Sequence, residues 1–72
     1  MEKRRIELIE CRKLKGTRDD VSSELGISNV YLRMIETGAL KPGRDLMIRM
    51  SIYFGKPIDV LFPDLFIDDG VV

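Results

Sequence analysis

Residues 17–38 read TRDDVSSELGISNVYLRMIETG, and the spacing inside this stretch decides the fold. Thr17 is an N-cap candidate with Asp20 three residues on, close to a capping box. Asp19 and Asp20 suit the positive end of a helix that runs to about Leu25. Gly26 stops that helix as a left-handed C′ residue does. Only Ile27 and a second cap, Ser28, precede the next helix, Asn29 to Thr37, which Gly38 closes. Val21, Leu25, Ile27, Leu32 and Ile35 are its apolar core positions, and Ser22 is the small residue where the two helices cross. A turn this short forces a large crossing angle, which needs a small residue at the contact and a residue tolerating positive φ between the helices.

That arrangement is a helix-turn-helix, and a wheel count at about 100° per residue says what its second helix presents. With Leu32 and Ile35 facing the core, Val30, Arg33 and Met34 project on the opposite side and Asn29 sits on the flank of the first turn. In the DNA-binding form of the motif the N-terminal half of this helix enters the major groove. Asn29 then suits the N6/N7 edge of adenine, Arg33 suits guanine or a phosphate, and Val30 suits a thymine methyl. Met34 offers contact without hydrogen-bond information. The plainer alternative is that Asn29 and Arg33 are solvated surface of a small bundle; the surrounding pattern favours DNA.

Outward from the motif, residues 2–14 read as a first helix with Ile6 and Ile9 on one stripe and Leu14 as a further candidate, ended by Gly16. The loop ALKPGRD follows Gly38, with Pro42 biasing Lys41 away from helical geometry. A fourth helix spans about Arg44 to Phe54, with Leu46, Met47, Met50 and Phe54 inward, and Gly55 ends it. Pro57 suits the first turn of a short fifth helix, Ile58 to Phe62, which Pro63 terminates. No strand alternation, repeat or low-complexity tract is present, so the expected fold is all-α with about five short helices.

A chain of 72 residues is expected to be one domain with a single core. Its one cysteine, Cys11, makes no internal disulfide and reads as a small buried hydrophobe, and the absence of histidine removes a Cys/His zinc site. No apolar run approaches the roughly 20 residues of a membrane span, and the charged N-terminus lacks a signal peptide's apolar segment. A soluble, cytoplasmic, nucleoid-associated protein is expected, with no membrane, metal or cofactor. The 12 basic and 12 acidic residues cancel, yet residues 1–58 hold all 12 basic groups against 8 acidic ones. An acidic tail therefore masks a mildly basic body. An enzyme is a poor reading: there is no histidine, no glycine-rich phosphate loop and too little chain to close a substrate pocket.

GISNVYLRMIETG, then KPGRDLMIRM and FGKPIDVLF, resembles the Cro/CI-type (XRE) helix-turn-helix family of bacterial and phage repressors over about residues 4–62. The resemblance implies a compact five-helix, lambda-repressor-like domain that binds double-stranded DNA, usually as a homodimer on a palindromic operator. It gives Arg18 the place of a glutamine that opens the second helix and touches a phosphate. Ser28, Asn29, Val30, Arg33 and Met34 match its base-facing positions, and Tyr31 a position that leans on the sugar-phosphate backbone. Lys41 and Arg44 match backbone-contacting positions. Glu36 matches a structural glutamate that pairs with an arginine of the first helix, for which Arg12 is the candidate. The link before the second helix is one residue shorter than in the family, so the motif does not fix the register of the first helix. Met34 stands where a polar or basic residue is common, and the acidic tail must point away from DNA.

The expected organisation is a DNA-binding domain over residues 1–63 and an acidic, apolar tail over residues 64–72. Ile52, Val60, Leu65, Phe66 and Ile67 either fold back on the domain or form a self-association face, the second being favoured. The expected function is a dimeric repressor acting by operator occlusion. The alternative is a helix-turn-helix module that binds and sequesters another regulatory protein.

Overall fold

The computed structural model describes residues 4–65, and within them the chain is helical. Five helices follow in order: α1 (Ile6–Lys15), α2 (Arg18–Leu25), α3 (Asn29–Thr37), α4 (Arg44–Phe54) and α5 (Ile58–Leu61), the last continued by a 3-10 turn, Pro63–Leu65. No strand is found among the described residues.

The punctuation expected around α2 and α3 is present atom by atom. Thr17 Oγ1 accepts from the Asp20 amide at 3.1 Å while Asp20 Oδ2 accepts from the Thr17 amide at 3.2 Å, a complete capping box. Ser28 Oγ accepts from the Tyr31 amide at 3.0 Å and so starts α3. Gly26 sits at φ +74°, where a side chain would strain the backbone, and the Ile27 amide donates to Ser22 O at 2.9 Å to close the turn.

The core draws on every helix: Leu8 and Cys11 of α1, Val21 and Leu25 of α2, Leu32 and Ile35 of α3, Leu46, Met50 and Phe54 of α4, and Leu61 with Phe62 at the end of α5. Ile27, Tyr31, Met47 and Leu65 pack against it half-buried. The Cys11 side of α1 and the inward stripe of α4 thus agree with the sequence reading.

Two local expectations are corrected. Among the described residues α1 begins at Ile6, after a non-helical Arg5, and its inward residues are Leu8 and Cys11. Ile6 and Leu14 are exposed and Ile9 is half-buried. The physical reason lies in the wheel: Ile6 lies about 160° from Leu8, on the far side of the helix. Two sets of similar spacing compete in this amphipathic segment. The short link to α2 and a hydrogen bond from the Arg5 amide to Glu36 O, 2.9 Å, select the Leu8 set. At the other end, α5 stops at Leu61, with Pro57 in an extended N-cap conformation and Pro63 opening the 3-10 turn. Phe62 leaves the helix because Pro63 follows it and disfavours helical geometry in the preceding residue, and its ring is wholly buried in the core.

Arg5 is the largest feature that sequence reasoning missed. It is 4% exposed, its guanidinium forks onto Asp64 at 2.9 and 3.0 Å, and it lies over the Phe62 ring at 5.4 Å. It also donates to Leu40 O at 3.0 Å and to Ile35 O. One arginine thereby ties the chain's first described residues to the end of α3, the loop after it and the 3-10 turn. Phe66 and Ile67, named above as part of a self-association face, lie outside the described residues.

Candidate nucleic-acid interface

The interface is built on α3, whose two sides are chemically opposed. Leu32 and Ile35 are fully buried and Glu36 nearly so, which fixes the helix rotationally against the core. Rotation fixed in this way turns Val30, Arg33 and Met34 outward, Val30 at 60% and Met34 at 39% exposure. The C-terminal end of α3 is held by Ala39 and Leu40 amides donating to Met34 O at 3.0 and 3.1 Å. Ser22, 4% exposed, lets α2 approach, and its hydroxyl donates to Asp19 O at 3.1 Å rather than standing unpaired in the crossing.

Ser28, Asn29, Val30, Tyr31, Arg33 and Met34 therefore share one short segment, but not one environment. Ser28 Oγ is occupied as a cap. Tyr31 is half-buried and packs against the core. Asn29 is half-buried and its carboxamide nitrogen donates to Asp19 Oδ1 across from α2. Lys41 and Arg44 are exposed on the loop after α3 and the first turn of α4, on either side of a buried Pro42 that pins the loop.

Arg18 stands apart from that row. Its Nε and Nη2 both lie 3.4 Å from Glu36 Oε1, while Arg12 forks onto the same carboxylate at 2.8 and 3.3 Å. The Arg12–Glu36 pairing implied by the family resemblance is thus present, and Arg18 joins it. Two guanidinium groups against one buried carboxylate leave the triad itself with one net positive charge. Because Arg18 is 35% exposed and its contacts to Glu36 are long, it is the looser member of the triad and the one open to solvent.

A second basic group seals the far end of α2, where Arg49 Nη1 donates to Leu25 O at 3.0 Å. The opposite flank of α2 is acidic: a broad open depression is lined by Lys15, Asp19, Asp20, Ser23, Glu24 and Tyr53, with the Lys15 ammonium 5.0 Å over the Tyr53 ring. Asp19 marks the rim between this acidic flank and the α3 surface. Among the described residues no cluster of three or more potential ligands is placed to hold a metal ion. No described helix is long and apolar enough to cross a membrane.

The sequence profile of a helix-turn-helix family matches residues 8–61 of the chain. No curated protein and no solved structure matches it.

Proposed function

The chain belongs to the Cro/CI-type (XRE) helix-turn-helix family of DNA-binding transcription regulators, and from that premise we propose that it is a repressor that occludes an operator as a homodimer. In this reading α3 lies in the major groove. Asn29, Val30, Arg33 and Met34 meet base edges, Ser28 and Tyr31 lie at the margin of the groove, and Arg18, Lys41 and Arg44 meet phosphates on its two sides. Residues 1–63 carry this activity and residues 64–72 form the tail. The protein acts in the cytoplasm, at the nucleoid.

The observation that carries the reading is the outward side of α3. A helix whose opposite side is sealed in the core exposes Val30, Met34 and Arg33 together, with exposed Lys41 and Arg44 in the loop and helix that follow. Val30 and Met34 thus place apolar surface beside Arg33 on the side of α3 that the core leaves open. Dimerisation is supported by Ile48 and Ile52, exposed one turn apart on α4, the latter at 76%. Val60 is half-buried and Leu65 packs on the core, so among the described residues expected at a self-association face Ile52 is the most exposed.

Fluorescence anisotropy tests the proposal, using DNA from upstream of the protein's own gene and a scrambled duplex at several salt concentrations. Binding about 10³-fold tighter to the specific duplex, falling steeply with salt, is the expected result. No salt-sensitive binding to any duplex would refute it. That outcome favours the second reading, a module that sequesters another regulatory protein, for which the apolar Val30 and Met34 and the balanced net charge would serve as well.

A further inference from the structure

Asp19 occupies the first turn of α2 but takes no part in its capping box, which Thr17 and Asp20 complete between themselves. Its carboxylate instead reaches across the motif to Asn29, the first residue of α3. An ionised carboxylate has only acceptor atoms, so the nitrogen end of the Asn29 carboxamide is the end that must face it. The amide nitrogen carries two hydrogens, and one is committed to Asp19. What remains for a partner is one N–H and the carbonyl oxygen.

That remainder has a specific complement. In the major groove adenine offers N7 as acceptor and N6–H as donor, which one N–H and one oxygen satisfy together. Guanine offers N7 and O6, two acceptors, and would require both amide hydrogens. We infer that Asp19 is a specificity-determining positioning residue: by fixing the orientation of the Asn29 carboxamide and occupying one of its hydrogens, it selects adenine and disfavours guanine at one base pair. The inference rests on the DNA-reading role proposed for α3. Without Asp19 the carboxamide is free to turn over and to offer both hydrogens.

The charge of Asp19 has a separate effect, because a carboxylate at the rim of the interface repels phosphate whatever the sequence. Two variants separate these contributions. Asp19→Asn removes the charge and leaves an amide that can accept from Asn29 through its oxygen or donate to it through its nitrogen, so Asn29 keeps a partner but no imposed orientation; Asp19→Ala removes charge and partner together. The experiment is enrichment from a randomised duplex pool by the full chain, its two Asp19 variants and Asn29→Ala, read by sequencing. The wild-type protein is expected to enrich adenine in one column; Asp19→Asn should bind all sequences more tightly and show an adenine-to-guanine ratio in that column between those of the wild type and Asp19→Ala. Asp19→Ala should lower the adenine-to-guanine ratio in that column about fivefold or more, the lower range of what one base contact discriminates, and leave other columns alone. Asn29→Ala should erase the same column.

An unchanged base profile for Asp19→Ala, with affinity moved equally for all sequences, would overturn the inference and leave Asp19 as surface charge. So would a change confined to a column that Asn29→Ala does not affect. Enrichment of no sequence by the wild-type protein would bring down the DNA reading itself, and the role of Asp19 with it.

Discussion

Replacing Arg5 with alanine should cost more stability than any other single change at a charged residue outside the α1–α3 triad. The side chain is 3% exposed and forks onto an Asp64 carboxylate that is 21% exposed. Removing one partner of a buried pair costs about 3–5 kcal/mol, and the partial exposure of Asp64 places this pair near the lower bound, because water recovers part of the lost interaction. The Leu40 carbonyl also loses its guanidinium donor, whereas the Ile35 carbonyl keeps the Gly38 amide at 3.2 Å, and Phe62 loses the cation over its ring. The unmet Leu40 carbonyl adds about 1 kcal/mol to about 3 for the pair, so the total for Arg5→Ala is about 4 kcal/mol. A domain of this length has a total stability of about 4–11 kcal/mol, so the variant should retain between none and two thirds of it. Arg5→Lys keeps the charge but loses the fork, and should cost about half as much. Urea unfolding followed by far-UV circular dichroism measures each variant, and a double-mutant cycle with Asp64→Asn measures the coupling. A cost below about 1 kcal/mol for Arg5→Ala, or additive effects in the cycle, would refute the assignment of Arg5 as the clasp that ties the start of α1 to the 3-10 turn.

Three further outcomes follow from other parts of the structure. Arg33→Ala should weaken binding to a specific duplex by about 1–3 kcal/mol, one base contact, while its exposed position leaves the urea midpoint unchanged; equal affinity in an anisotropy titration would remove Arg33 from the interface. Gly26→Ala should cost about 1–2 kcal/mol in urea unfolding, because φ +74° is strained for an L side chain and the added Cβ meets only Arg49 Nη1, at 3.8 Å. A neutral result would mean that the turn relaxes to negative φ. Ile52→Glu should weaken self-association across a protein dilution series in analytical ultracentrifugation without altering the circular dichroism spectrum, since Ile52 is 76% exposed. Unchanged association would move the dimer contact elsewhere.

The Cβ-free and hydroxyl-bearing residues made α2 and α3 legible, since a cap or a left-handed glycine acts within four residues of itself. Thr17, Ser28, Gly26 and Gly38 carry their consequences locally, and the observed caps and positive φ values match them. The core positions of the motif were equally readable, because a short turn between two helices admits only one way of burying Val21, Leu25, Leu32 and Ile35. The family match covers this pattern and extends beyond it, over residues 8–61.

The rotation of α1 was of another kind. Its sequence holds two apolar sets of similar spacing, and local chemistry does not rank them; the contact between the Arg5 amide and Glu36 O, thirty-one residues away, does. The same holds for the clasp itself. Nothing near Arg5 distinguishes it from Arg4, and its partners lie 30 to 59 residues away along the chain. Likewise Arg18, which the family resemblance sends to a phosphate, meets Glu36 as well, and Asn29 meets Asp19 before it meets any base. Local chemistry was enough to place the ends of α2 and α3 and the side of α3 that faces outward, because those follow from interactions within one or two turns, but not the start of α1 or the last residue of α5. Tertiary structure alone decided which charged groups are buried and what they hold, because a guanidinium finds its carboxylate by the packing of helices that are distant in sequence.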